Sequence, residues 1–123
     1  MTNNVPKKHA SLLDLEKQCL DDSARWFGDT IDFDGAIPHH ALALAGEVGE
    51  FANIVKKIDR GSLDSREPRV RHDLAMELTD VLIYVLNLGA LLRVDLEEAY
   101  KIKRAENEQR FTKERARREQ RQG

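Results

Sequence analysis

Four carboxylates stand in two short words of the chain: Glu47 and Glu50 in Gly46-Glu47-Val48-Gly49-Glu50, and Glu77 and Asp80 in Glu77-Leu78-Thr79-Asp80. Within each word the acids are three residues apart, which on a helix places both on one face. Two such pairs on neighbouring antiparallel helices form a cluster of four. Oxygen donors of this kind, in a chain with 1 Cys and 4 His, suit Mg²⁺ or Mn²⁺ rather than Zn²⁺. One acidic pair alone is ordinarily a solvated face. Two pairs, one inside an apolar helix, point to a metal site.

The second word is the more informative. From Leu74 to Leu92 the sequence is apolar nearly all round, and its only charges are Glu77 and Asp80. With Tyr84 and Asn87 they follow one helical stripe, which Asp73 extends by a turn. Carboxylates buried there require a cation, a metal or hydrogen-bond donors. The first word lies beside an apolar stripe of Ala41, Leu44, Ala45, Val48, Phe51, Ala52, Val55 and Ile58, with Glu47 at its edge and Glu50 further out. Gly46 and Gly49 each cost a helix interior about 1 kcal/mol relative to Ala. That cost suggests that another helix or a ligand comes close at these positions.

The elements that must hold these words are helices. The chain has 123 residues, 41% apolar and 34% charged, with only 7 Gly and 3 Pro, a balance that favours one all-α domain. We expect a four- to five-helix bundle: a loose arm over 1–10, the helical domain over 11–111, and a charged, partly frayed tail over 112–123. Ser11 to Asp14 resembles a capping box opening a helix over 12–27. A loop over 28–37 precedes a second helix over 38–59, with Pro38 in its first turn. A loop over 60–69 leads to a third helix ending near Arg93. Asp95, with Glu98 three residues on, caps a fourth that runs past Phe111.

Residues 100–123 carry nine Lys/Arg against four Asp/Glu, so the tail is about +5 and the rest about −7. The single cysteine excludes an intrachain disulfide and fits a reducing, cytoplasmic setting. The polar N-terminus lacks the apolar core of a signal peptide. The longest uncharged run, Val81 to Leu92, is short of the roughly 20 residues of a membrane span, so no membrane partner is expected. The first helix is thinly apolar and the third apolar all round, so one chain leaves apolar surface uncovered. Helices are therefore expected to pair across an oligomer interface.

The strings Leu42-Ala43-Leu44-Ala45-Gly46-Glu47-Val48-Gly49-Glu50-Phe51, Lys56-Lys57, Glu77 to Tyr84 and Val94-Asp95-Leu96 resemble the MazG-like nucleotide pyrophosphohydrolases, especially the dCTP pyrophosphatase branch. The likeness spans about residues 38–111. It implies an all-α bundle that assembles as a homodimer or homotetramer. It also implies Mg²⁺-dependent cleavage of a nucleoside triphosphate between its α- and β-phosphates, giving a monophosphate and pyrophosphate. Position by position, Glu47, Glu50, Glu77 and Asp80 match the metal ligands and Tyr84 a substrate-site tyrosine. Lys103, Asn107 and Arg110-Phe111 match a Lys-x-x-x-Asn-x-x-Arg-aromatic segment that contacts substrate. Two positions depart: Gly46 stands where many relatives carry a further Glu, and Lys57 where the dCTP-specific branch tends to place an aromatic.

A triphosphate brings about four negative charges to an acidic site, so a metal must screen them. Lys56, Lys57, Arg60, Lys103 and Arg110 are candidates to neutralise the leaving group, and Glu50 to orient or deprotonate the attacking water. Trp26, Phe33 and His39 or His40 are candidates to stack on or bond the base, and Asn87 is a further candidate substrate contact. The rival readings are a nucleic-acid or protein interaction module gripping through the basic tail, and a bundle that has lost turnover. Nucleic acid is the weaker partner, because the tail interleaves Lys/Arg with Glu and shows no recognition-helix signature.

Overall fold

The computed structural model describes residues 10–27 and 33–123, and among these every regular element is a helix. The order is α1 (Leu12–Phe27), α2 (Phe33–Asp59), α3 (Pro68–Leu91) and α4 (Leu96–Gln122). Nearly all of the expected N-terminal arm, and residues 28–32 of the expected loop, lie outside the described residues.

The helix ends follow from local chemistry. At the head of α1 the capping box is closed: the Asp14 N–H donates to Ser11 Oγ at 3.1 Å, and the Ser11 N–H to Asp14 Oδ2 at 3.2 Å. Gly61, with φ +83°, takes the left-handed conformation that ends α2, where the Ser62 N–H reaches back to the Lys57 carbonyl at 2.8 Å. Pro68 opens α3, and Asp95 caps α4 by accepting from the Glu98 N–H at 3.0 Å. Two boundaries differ from the sequence reading. Helix α2 begins at Phe33, so Pro38 sits within it; near a helix start a proline removes one hydrogen bond without ending the element. Helix α4 continues through Gln122 where a frayed tail was expected. Its charges support the helix from within, as in the Arg115–Glu119 pair at 2.9 Å.

Helices α2 and α3 form the main packing layer, and α1 lies across α3. The edge-to-face contact of His40 with Tyr84 and the approach of Glu47 to Glu77 fix one antiparallel register: seven residues forward on α2 match seven back on α3. Along the facing sides run His40, Leu44, Glu47, Phe51, Ile54 and Ile58 on α2, and Val70, Leu74, Glu77, Val81, Tyr84 and Leu88 on α3, all buried or half-buried. Both series step by four and three in turn, the rhythm of a seam between two helices. This corrects the apolar stripe drawn for α2, because Ala41, Ala45, Val48, Ala52 and Val55 from that stripe are exposed. Leu44, Phe51 and Ile58 alone of it face inward, and Glu47 lies in the middle of the packed face rather than at its edge.

The α3–α4 turn is held by α1. Glu16 is 4% exposed, and its carboxylate accepts the Leu96 N–H at the first turn of α4. Burial first, and the Asp95 charge second, push its pKa up, while that hydrogen bond pulls it down. Gly89 is the close-approach point. A Cβ there would collide with Glu16 Oε1 and come within 2.9 Å of Leu96 Cγ. The turn itself is closed by the Val94 N–H donating to the Gly89 carbonyl at 3.1 Å, with Arg93 left-handed at φ 55°.

Within one chain α3 is less covered than its sequence leads one to expect. Only Val70, Leu86, Gly89 and Leu91 of it are buried. Met76, Leu78, Leu82 and Ile83 are exposed, as are Leu42, Val48 and Val55 on α2. By length and composition alone α3 is also suited to cross a membrane, which the longest uncharged run did not reveal. Glu77 and Asp80 near its middle distinguish it from an ordinary span, since a carboxylate at bilayer depth is costly.

Candidate active site

The acidic words converge across the seam. Ligand oxygens of Glu47, Glu77 and Asp80 lie within 4.8 Å of one another, Glu47 and Glu77 half-buried and Asp80 exposed. Each helix positions its acid by the same device. A four-three apolar rhythm turns Glu47 and Glu77 toward each other, with Leu44 and Phe51 flanking one and Leu74 and Val81 the other. Asp80, one turn on from Glu77, sits at the open rim. Glu50 stands outside this trio, exposed on α2, although its charge still reaches Glu77. Three of the four expected ligands are therefore brought together, with the fourth beside them.

The electrostatics show a site short of positive charge. The Glu77 carboxyl is held above the ordinary carboxylate value, first by desolvation, then by the charges of Glu47 and Asp80, by a hydrogen bond with Glu47, and least by Glu50. Two carboxylates can hydrogen-bond only if one keeps its proton. Proton and cation are alternative remedies for the same crowding. An all-oxygen donor set at a half-open rim, with the Glu77 carboxyl raised by desolvation and by its acidic neighbours, fits a hard divalent cation. Among the described residues no atom lies within 4 Å of a Cβ built at Gly46 or Gly49, so the room that they leave is open there.

Of the expected substrate residues, Tyr84 and Asn87 lie on α3 above the acids and are half-buried. Tyr84 meets the His40 ring edge-to-face, with centroids 5.9 Å apart. His40, rather than the exposed His39, faces inward; the 4-3 rhythm of the seam was the signal that separates them. Trp26 is 66% exposed at the end of α1, with the Arg25 guanidinium over its ring at 5.6 Å, so it is not a core residue of this chain. Lys57 is exposed in the last turn of α2, ten residues or about 15 Å along the helix from Glu47.

Lys103, Asn107 and Arg110 are not brought to the acids. They stand on α4, which packs on α1 but makes no comparable contact with α2 or α3. Lys103 pairs with Glu106 at 3.8 Å, and Arg110 covers the Phe111 ring at 4.6 Å. Lys103 and Asn107 share an open groove of about 390 Å³ with Tyr100, Arg104, Phe111 and Arg115. Sequence reasoning missed the aromatic-and-basic continuity of that groove. Its residues recur at helical spacing, but the interleaved glutamates obscure the pattern.

Fold and site together define an all-α domain built on a pair of acid-bearing helices. Residues 39–117 match the MazG nucleotide pyrophosphohydrolase domain, and the chain belongs to that family. It is similar to dCTP pyrophosphatase 1 from Bos taurus, 42% identical over 72 residues that cover 57% of this chain and 43% of that protein. The Homo sapiens dCTP pyrophosphatase 1 is 43% identical over 72 residues, covering 57% of this chain and 42% of that protein. The match thus spans less than half the length of either relative.

The crowding at Glu77 sets a pH dependence. A carboxyl whose value is raised by folding lends stability below its unfolded value, and that stability is lost as pH rises through the folded value. In EDTA, the stability of wild type relative to Glu77→Gln should therefore fall as pH rises through the raised Glu77 value. Urea unfolding at a series of pH values measures it. A wild-type stability that rises relative to Glu77→Gln over that range would contradict the assignment.

Proposed function

We propose that this chain hydrolyses nucleoside triphosphates to a monophosphate and pyrophosphate. The observation that carries the reading is the convergence of Glu47, Glu77 and Asp80 in an otherwise apolar seam. Membership of the MazG family and the likeness to two dCTP pyrophosphatases support it and make dCTP the first substrate to try.

Glu47, Glu77 and Asp80, with Glu50 in reach, would hold Mg²⁺ or Mn²⁺. When bound, the ion supplies charge screening for the phosphates and polarises the phosphoryl group. The remaining work belongs to side chains. Glu50, outside the trio and open to solvent, orients a water and accepts its proton as the oxygen attacks the α-phosphorus. The bond from that phosphorus to the α–β bridging oxygen breaks, and pyrophosphate departs with the bridging oxygen. Tyr84 and Asn87, one and two turns along α3 from Asp80, hold the nucleoside end. Lys103, Asn107 and Arg110 lie too far round on α4 to serve the acids of their own chain, so they serve those of a second copy.

The second copy is also what the packing calls for. Leu42, Val48 and Val55 of α2, with Met76, Leu78, Leu82 and Ile83 of α3, form apolar faces that one chain leaves in water. In this reading α3 is a bundle helix covered by another α2–α3 pair, and not a membrane span.

Release of pyrophosphate from a panel of deoxy- and ribonucleoside triphosphates with Mg²⁺ tests the activity. Wild type should turn over at least one of them. Glu47→Gln, Glu77→Gln and Asp80→Asn should each lose about a hundredfold or more in kcat, and EDTA should abolish turnover. No release from any nucleotide would end the enzyme reading. Light scattering should give a mass at least twice the 14.1 kDa of one chain. A 14.1 kDa particle at micromolar concentration would refute the assembly.

A further inference from the structure

Above the acids, α1, α2 and α3 enclose a second space. Leu20 and Ser23, His40, and Asn87, Ala90 and Leu91 line a narrow cleft of about 10 Å³. A space of that size takes one water-sized group and no ring. Three of its walls, Ser23, His40 and Asn87, are polar, so what enters is a hydrogen-bonding group.

The histidine decides which kind. His40 Nδ1 lies 2.8 Å from the Ala36 carbonyl oxygen of its own helix. A carbonyl only accepts, so Nδ1 carries the hydrogen, and Nε2 of the neutral ring is left as a bare acceptor. The Tyr84 ring, edge-on at an interplanar angle of 67°, helps hold the imidazole plane. The Ser23 hydroxyl and the Asn87 amide can each turn to donate or accept, so neither imposes a sign. His40 does.

The cleft is also in the right place. Asn87 stands seven residues from Asp80 on α3, about 10 Å along the axis. That is comparable to the reach of a nucleotide from its α-phosphate to the far edge of its base. A base lying along α3 would keep its ring on the open flank of Tyr84 and send one exocyclic group into the cleft.

We propose that His40 is a specificity-determining residue: its Nε2 accepts a hydrogen bond from an exocyclic amino group of the base. An amino-bearing base satisfies both partners. An oxo base at the same position sets a carbonyl lone pair against the Nε2 lone pair, so it forfeits the His40 hydrogen bond even where Ser23 or Asn87 turns to donate to it. The site therefore favours an amino over an oxo substituent at that position. This rests on the nucleotide-hydrolase reading given above.

The test compares dCTP with dUTP, which differ only at the 4-substituent and the N3 proton. Wild type should favour dCTP in kcat/KM by about ten- to a hundredfold. His40→Phe keeps a ring against Tyr84 and removes the acceptor. It should bring the ratio close to one, with the change falling on the KM for dCTP more than on kcat. His40→Gln, which offers an acceptor oxygen again, should recover part of the preference. Equal kcat/KM in wild type, or a preference that survives in His40→Phe, overturns the proposal. If no nucleotide is hydrolysed, the underlying reading fails separately. Calorimetric binding of dCMP and dUMP then still decides, tighter dCMP supporting the role of His40 and equal affinities refuting it.

Discussion

Glu47 and Glu77 face each other at positions where the rhythm of the α2–α3 seam calls for apolar side chains. Everything distinctive about the molecule is tied to that confrontation. The apolar neighbours above and below leave Glu47 and Glu77 half-buried, and desolvation together with the Glu47 and Asp80 charges raises the Glu77 carboxyl. The chain has two remedies. One is a proton, which desolvation first and the Glu47 and Asp80 charges next favour on Glu77. A cation would relieve both and recruit Asp80 from the rim. A seam of this kind is less stable than an all-leucine one, and that deficit is what leaves it able to bind.

The same seam explains the incomplete look of a single chain. Its inward faces are spent on the acids, on His40 against Tyr84, and on a modest set of aliphatics; among the described residues the buried hydrophobic side chains are Val70, Leu86 and Leu91. Where α1 meets the α3–α4 turn, Glu16 is buried and its carboxylate accepts the Leu96 N–H, while its Oε1 has no hydrogen-bond partner among the described residues. That contact fixes where α4 starts, and α4 then leaves the bundle with its aromatic and basic groove turned outward. A second copy would close the exposed α2 and α3 faces and bring a basic helix to an acidic site in one step.

Much of this was legible in the sequence, for identifiable reasons. Glycine and proline scarcity made the helices plain, and Ser11–Asp14 and Asp95–Glu98 marked two helix starts by side-chain chemistry alone. Glu77 and Asp80 stood out because their helix carries no other charge. What escaped the sequence depended on rotation or on distance. Helix α2 is apolar on two sides, so composition could not say that Leu44, Phe51 and Ile58 face α3 while Val48 and Val55 do not. The same ambiguity hid the choice of His40 over His39. The continuation of α4 through Gln122 was obscured because a polar helix has no apolar face to announce it. The separation of Lys103 and Asn107 from the acids is a matter of where α4 points, which the turn at Arg93 sets.

A divalent cation at Glu47, Glu77 and Asp80 would exchange for a proton at the Glu77 carboxyl. Calorimetric titration of the metal-free protein with Mg²⁺, run at one pH in buffers of different ionisation enthalpy, measures that exchange directly. Binding should be accompanied by proton release at a pH near the raised Glu77 value, with the release lost in Glu77→Gln. Binding with no proton released at that pH, or release unchanged in Glu77→Gln, would contradict it.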